Sequence, residues 1–315
     1  MEIELAVRKL QESDPQLRVL SRRYEGPQGP YWLLGVLDLN PARNLGGYQN
    51  QTYFLLTPDR SQAVVIDPGL REGERVREAL GIRKCSAIIT HYHIDHWIGS
   101  DAYADATFYM SEACAFVLTN RLGVGRGGQS IFTDGRLTDY HRTPTPPNVL
   151  KEWDRILPFH YRLVRLRPDE TWRHPHFPLE FFELPYGQTE GTLYGLLEPP
   201  GQKILFGSDL FIKLNGMLCI EPHYSMGDQR EVIDRVLVAL EALLGQPAQP
   251  LPGPANGPGG DTYSQLWAQR LRRLAHPTTL ALGHGLWDLA ECQAQIEHLV
   301  AELKEYRRIE REHII

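Results

Sequence analysis

The chain has 315 residues, and 33 Lys and Arg against 39 Asp and Glu leave a formal net charge of −6. With 42% hydrophobic and 23% charged residues it has the composition of a globular protein with a sizeable core, which excludes wholesale disorder and fibrous repeats. The acidic balance offers no overall basic face to a phosphate backbone, so no nucleic-acid partner is expected.

The N-terminal MEIELAVRKLQESDP is broken by charge every few residues and lacks the apolar stretch of a signal peptide, and no apolar run is long enough to span a bilayer. Cys85, Cys114, Cys219 and Cys292 lie far apart without CxxC spacing, so neither a zinc ribbon nor a disulfide framework is expected. A cytoplasmic protein with no membrane partner is the expectation.

Tyr31 to Leu39, Thr52 to Leu56 and Ala63 to Ile66 are short apolar runs bounded by turn signals, the last by Asp67-Pro68-Gly69, and they predict strands. Glu72 to Leu80 sets Val76, Ala79 and Leu80 among charges, as a helix lying on a sheet does, and Cys85 to Thr90 predicts a buried strand. Ser111 to Leu122 predicts a helix capped by Ser111, whereas Leu179 to Leu184, Leu193 to Leu197 and Lys203 to Phe206 predict strands. Glu231 to Leu244 has helical spacing. The stretch 245–261 is too rich in Pro and Gly for regular structure and is expected to be a flexible surface loop.

From about Trp287 to the end, Leu289, Cys292, Ile296, Leu299, Leu303 and Tyr306 recur in steps of three and four, predicting one long amphipathic helix. Its stripe is expected to pack on a sheet; a dimer-forming coil, and hence a homodimer, is the alternative. Strands and helices interleave in two successive halves, which indicates a layered α/β architecture.

Directly after Cys85 to Thr90, His91-Tyr92-His93-Ile94-Asp95-His96 places three imidazoles and one carboxylate within six residues. Borderline divalent metals prefer these ligands. At a strand end the alternate residues His91 and His93 share a side while Asp95 and His96 point elsewhere, so the spacing suits two neighbouring metal sites better than one tetrahedral ion. Single histidines elsewhere, including His141, His160, His174 and His176, are expected at the surface.

Here the sequence resembles the metallo-β-lactamase superfamily. The resemblance rests on four places: THYHIDHWIGS, which carries the HxHxDH motif; LPYGQTEG, at the position of the GHTxG turn; ILFGSDL; and ALGHG. It implies a single-domain four-layer αββα sandwich over 1–315 with the metal site at one edge, and it covers Val36 to Gly285 as a framework. Asp209 would bridge two metals, His284 would be the last ligand, and Asp67 in VVIDPG would be a structural aspartate. Where the turn should present histidine, this chain has Gln188. One metal would then see His91, His93 and Gln188 with Asp209, and the other Asp95, His96 and His284 with Asp209. If Gln188 does not ligate, it is a hydrogen-bonding neighbour of a ligand.

An amide oxygen is a weaker, harder donor than imidazole, so uneven occupancy is expected: one or two divalent ions per chain, zinc first, with iron or manganese as alternatives. Two divalent ions against Asp95, Asp209 and one hydroxide leave a net positive charge, whereas a single ion leaves a net negative one, so full hydrolytic power needs both. The implied reaction is attack of metal-bound hydroxide on a carbonyl or phosphoryl centre, with Asp95 and Asp209 at its heart and no separate nucleophilic side chain. His223 in EPHYSMGD is a further candidate as ligand, proton donor or substrate contact.

Gly123, Gly125 and Gly128 satisfy GxGxxG but follow a helical stretch rather than a strand, which rejects a dinucleotide site. The stretch from about Thr119 to Arg173 has no counterpart in the family framework. Within it, Arg121 to Arg173 holds ten cationic against six acidic residues together with Tyr140, Trp153, Phe159, Tyr161 and Trp172. It is expected to be a lid-like insertion that meets an anionic small-molecule substrate, or else a solvated insertion or subunit contact. The expected function is a metal-dependent hydrolase of an ester, thioester or lactone. The alternatives are a catalytically weakened binding or regulatory protein and a mononuclear iron oxygenase; relatives of the latter kind keep the histidine that Gln188 displaces.

Overall fold

Apolar periodicity fixes which face each element buries. In the computed structural model, which describes residues 2–40, 43, 51–120, 162–189, 191–214, 217–220, 229–247 and 260–312, the chain opens with α1 (Ile3–Ser13). Its Ile3, Ala6, Val7 and Leu10 share one buried stripe, and the helix stops at Asp14, ahead of Pro15. This helix was not foreseen, because charges interrupt the apolar positions along the sequence without interrupting them along the stripe.

Strands β1 (Leu17–Gly26), β2 (Gly29–Asp38), β3 (Gln51–Leu56) and β4 (Ala63–Ile66) pair antiparallel in order. The chain then crosses through α2 (Gly73–Leu80), closed by Gly81 in the left-handed conformation with its N–H on Arg77 O and Glu78 O. Strands β5 (Ser86–Ile88), β6 (Thr107–Ser111) and β7 (Arg162–Leu166) add in parallel, and α3 (Glu112–Asn120) follows β6. The result is a seven-stranded sheet with the order β1-β2-β3-β4-β5-β6-β7.

The second sheet takes β8 (Thr171–Arg173), β9 (Leu179–Glu183), β10 (Leu193–Leu197) and β11 (Ile204–Phe206), then β14 (Thr279–Leu282) and β15 (Gly285–Asp288), in the order β15-β14-β11-β10-β9-β8. A separate hairpin joins β12 (Ile212–Leu214) and β13 (Met217–Cys219). Helices α4 (Gln229–Leu243), α5 (Gly260–Leu274) and α6 (Leu289–Glu312) complete the described elements.

Three apolar layers hold these parts together. Leu33, Tyr53, Leu55, Val64 and Ile66 of the first sheet meet Leu179, Phe181, Leu193, Ile204 and Phe206 of the second. The opposite face of the first sheet packs on α1, α2 and α3, and that of the second on α4, α5 and α6. The architecture is therefore helix, sheet, sheet, helix: a four-layer αββα sandwich.

Three boundaries differ from expectation. Residues 162–173, counted with the insertion, form edge strands of the two sheets, so they belong to the sandwich; residues 121–161 lie outside the described residues. Within the expected loop 245–261, residues 248–259 likewise lie outside, and Gly260 already opens α5. The last helix starts at Leu289 rather than Trp287, because 285–288 pair with β14. Its stripe, Leu289, Cys292, Ile296, Leu299 and Leu303, is buried on the second sheet's outer face, whereas Tyr306 is 45% exposed. Among the described residues no helix is long and apolar enough to cross a membrane. All four cysteines are free thiols.

Candidate metal centre

Parallel pairing aligns the ends of neighbouring strands, and the site is built from such ends. Phe206 on β11 pairs with Ala281 on β14, so Asp209 and His284, each three residues further on, emerge side by side. Ile66 on β4 pairs with Ile88 on β5. Asp67 follows the former at once, and Thr90 and His91 follow the latter. Since β5 ends at Ile88, His91 and His93 lie beyond it, and His93 caps a single 3₁₀ turn, Ile94–His96. Strand alternation is therefore not what aligns the two imidazoles, yet their ring centroids are 4.5 Å apart.

The loop carrying His284 is fixed from both sides. Gly283 N donates to Ser208 O at 2.9 Å and Gln51 N donates to Gly283 O at 2.6 Å. The buried Tyr53 hydroxyl lies 2.7 Å from both Leu282 O and Gly285 O. Gly283 is required sterically, since a Cβ there would lie 2.2 Å from Asp209 Oδ1 and 2.4 Å from His96 Cε1.

Asp209 stands at the centre. Its Oδ2 is 3.1 Å from His96 Nε2, 3.5 Å from His91 Nε2 and 4.0 Å from His93 Nδ1, and its Oδ1 is 3.6 Å from His284 Nε2. Asp95 Oδ2 lies 3.6 Å from His96 Nε2 and 3.9 Å from His284 Nε2. The donors form two groups, Asp95, His96, Asp209 and His284 on one side and His91, His93 and Asp209 on the other, each with its ligand atoms within 4.8 Å of one another. Gln188 is buried in the turn between β9 and β10. His223 lies outside the described residues.

Burial and crowding by His96 and His93 push His91 down to about 4. Burial also opposes charge on His284 and His96, but Asp209 and Asp95 outweigh it, raising His284 to about 9 and His96 well above the usual imidazole value. Burial likewise opposes charge on Asp209, yet His96 and His284 hold its carboxyl far below the ordinary range.

The residues present fit a divalent cation. Borderline metals take imidazole nitrogen with carboxylate oxygen. His91 Nε2 and Asp209 Oδ1 are buried without a hydrogen-bond partner among the described residues, which a coordinated ion would satisfy.

Behind the ring lies a polar support. Asp67 Oδ2 is 3.0 Å from His96 Nδ1, and Thr90 donates to the same carboxylate through N and Oγ1, both at 2.8 Å. Ser208 Oγ is 2.8 Å from His91 Nδ1 and 3.1 Å from Thr90 Oγ1. Thr90, Ser208 and Tyr53 escaped the sequence analysis because hydroxyls carry no periodic signature; adjacency of Thr90 to His91 and of Ser208 to Asp209 was the only available signal. His174, expected at the surface, is buried and pushed down to about 4 by that burial. Its Nδ1 accepts from His176 N and Phe177 N, closing a turn of its own.

The sequence profile of the metallo-beta-lactamase superfamily matches residues 45–284, and so spans every residue of both donor groups. The chain belongs to the metallo-beta-lactamase superfamily. Its solved neighbours are distant. The hydrolase AbOPH is 15% identical with a TM-score of 0.49, covering 85% of this chain and 92% of that one. A metallo-beta-lactamase from Pontibacter korlensis is 17% identical with a TM-score of 0.45, covering 92% and 99%. AidC, a dizinc quorum-quenching lactonase, is 13% identical with a TM-score of 0.48, covering 74% and 88%. No relative is found among curated proteins. At such distances the superfamily match and the donor geometry carry the assignment, and the neighbours add nothing about substrate.

Proposed function

We propose that this chain is a metal-dependent hydrolase acting on an ester, thioester or lactone of an anionic small molecule. The observation that supports it most is Asp209, a single buried carboxylate shared between two groups of imidazole and carboxylate donors. A divalent cation bound there would supply Lewis-acid polarisation of a carbonyl oxygen and a water of lowered pKa. His91 and His96, whose side chains are fully buried, form the floor. His93, His284 and Asp95 keep 13%, 13% and 18% side-chain exposure and form the rim over which a substrate approaches. Asp95 is the more open of the two carboxylates, at 18% side-chain exposure against 5% for Asp209, and so faces the approaching substrate.

His91, His93 and Gln188 would serve one half of the centre, and Asp95, His96 and His284 the other, with Asp209 common to both. The amide at 188 makes the first half the weaker. The anionic character of the substrate rests on the six cations against four acids over 121–161, the part of the expected insertion that remains once 162–173 join the sheets. In the edge region 162–173, Arg167 pairs with Asp169 and Glu170, and Arg173 with Glu180.

Elemental analysis of the purified protein beside Gln188→His, with turnover measured on an ester, thioester and lactone panel with and without chelator, tests the proposal. Fewer than two metals per chain are expected in the parent, with a gain in the variant and chelator-sensitive turnover. Equal, full loading in both refutes the role given to residue 188. A metal-bearing protein that turns over no member of the panel refutes the hydrolase and favours the regulatory alternative, which the amide at 188 also suggests.

A further inference from the structure

His91 and His96 both turn Nε2 toward Asp209 and Nδ1 away from it. Behind them three oxygens are in sequence: Ser208 Oγ, 2.8 Å from His91 Nδ1; Thr90 Oγ1, 3.1 Å further on; and Asp67 Oδ2, 2.8 Å from Thr90 Oγ1 and 3.0 Å from His96 Nδ1. We propose that these groups form one hydrogen-bonded network behind the two rings, in which the hydroxyls of Ser208 and Thr90, 2.8 and 3.3 Å from His91 Nδ1, accept from His91 Nδ1–H, and Asp67 accepts from Thr90 and from His96 Nδ1–H. The network makes Ser208 and Thr90 positioning residues that present His91, as Asp67 presents His96, with a bare Nε2. This inference rests on the proposal that the site binds a divalent cation.

Counting protons shows what each ring nitrogen can do. A carboxylate only accepts, and each hydroxyl has one proton to give. Thr90 Oγ1 lies 2.8 Å from Asp67 Oδ2, 3.1 Å from Ser208 Oγ and 3.3 Å from His91 Nδ1, and it cannot donate to all three. Given to the carboxylate, the strongest acceptor of the three, its proton leaves the hydroxyl oxygens free to accept from His91 Nδ1–H. A cation held between the rings and Asp209 then finds the Nε2 lone pairs of His91 and His96, 3.5 and 3.1 Å from Asp209 Oδ2, turned toward it.

Backbone conformation supplies a second, independent observation. Ser208 has φ +53 and Asp67 φ +50, two of the four non-glycine residues with positive φ among those described. Glycine adopts this region freely and a residue with a Cβ does so at a cost. At a buried position where glycine would be easier, the serine contributes its hydroxyl, and that hydroxyl touches His91. The two rings are held unequally as a result: His96 bonds the carboxylate of Asp67 directly, while His91 meets only the hydroxyls of Ser208 and Thr90.

The test uses the full chain with Co²⁺ and Zn²⁺ as probes. Affinity is read by chelator competition and ligand geometry by the cobalt absorption spectrum, for the parent, Ser208→Gly, Thr90→Val and Thr90→Ser, with thermal unfolding of each metal-free protein alongside. Ser208→Gly is expected to weaken binding about 10- to 100-fold and alter the cobalt spectrum, while its metal-free melting temperature does not fall, since glycine relieves the strained φ. Thr90→Val is expected to behave likewise in affinity, and Thr90→Ser to retain parent affinity. In the zinc-loaded parent, nitrogen NMR of His91 should show Nδ1 protonated. Parent affinity and spectrum in both Ser208→Gly and Thr90→Val overturn the proposal, as does a proton on His91 Nε2. A Ser208→Gly protein that loses affinity only in step with metal-free stability also overturns it, because the serine would then be structural. A parent that binds neither metal refutes the metal centre itself, an outcome separate from these.

Discussion

Gly283→Ala adds one methyl group at the point where the loop of His284 crosses Asp209. The new Cβ would lie 2.2 Å from Asp209 Oδ1, against at least 3.4 Å for ordinary contact, so the groups must part by about 1 Å. The backbone is the wrong part to move, because Gly283 is bonded through its N–H to Ser208 O and through its carbonyl to Gln51 N. Nor is conformation the obstacle, since Gly283 is not among the residues with positive φ. Asp209 and His96, both buried, have to yield. Overpacking of this kind costs about 1–3 kcal/mol, which at about 2–4 °C per kcal/mol lowers the melting temperature of the metal-free chain by roughly 2–12 °C. A displacement of about 1 Å at the reacting centre can lower turnover by about two orders of magnitude. Calorimetry of the metal-free protein and zinc titration read the two effects separately. An alanine variant with the parent's melting temperature and zinc affinity would show that Asp209 is not fixed where the rest of the site requires it.

Two further predictions concern the frame. Arg43 bonds Asp14 at 2.6 Å and lies 2.9 Å from Asp38 Oδ2, all three side chains being largely buried, and its guanidinium holds the Asp14 carboxyl below the usual carboxylate value. A depressed folded-state pKa contributes stability above the unfolded value of about 3.9, lost as pH falls through the folded value. Burial raises Asp38, so it protonates earlier on acidification and its attraction to Arg43 is lost sooner. Arg43→Ala should therefore cost about 2–4 kcal/mol in urea unfolding at pH 7 and much less at pH 3; a loss independent of pH refutes the charge argument. Arg270, 4% exposed, donates to Glu183 O at 2.9 Å, to Glu170 O at 2.8 Å and to Pro168 O, tying α5 to the second sheet. Arg270→Lys lacks the planar fork and should cost about 2–4 kcal/mol by the same measurement, with an unchanged urea midpoint as the refuting result.

Some of the strands buried on both faces were legible in the sequence, although β14, buried at all four positions, was not predicted. Thr52 to Leu56, Ala63 to Ile66 and Leu193 to Leu197 are unbroken apolar runs, and each is a strand within a residue of the expected bounds. Strands β1 and β8 were missed because an edge position leaves alternate residues charged and exposed, so no apolar run marks them. Helix α5 was hidden by its neighbours in sequence: 15 residues of helical spacing directly follow the Pro and Gly run. At the candidate site, His91, His93, Asp95, His96, Asp209 and His284, which the fold brings together, could be picked out from the sequence because metal-ligand candidates are a few residue types in a few spacings. Their supports could not, since a hydroxyl that bonds a ring nitrogen can come from any loop that passes.

Two unrelated asymmetries fall on the same side of the centre. In the sequence, the half served by His91 and His93 has an amide at 188 where the superfamily motif has imidazole. In the structure, that half has its His91 held by the hydroxyls of Ser208 and Thr90 where His96 meets the carboxylate of Asp67 directly. An amide donor and a hydroxyl rather than carboxylate support both lower the affinity of one half relative to the other. The Asp95, His96 and His284 half is therefore expected to fill first. Residue 188 and the hydroxyl support then act on the same quantity, the second binding constant, so restoring imidazole with Gln188→His should offset part of what Ser208→Gly removes.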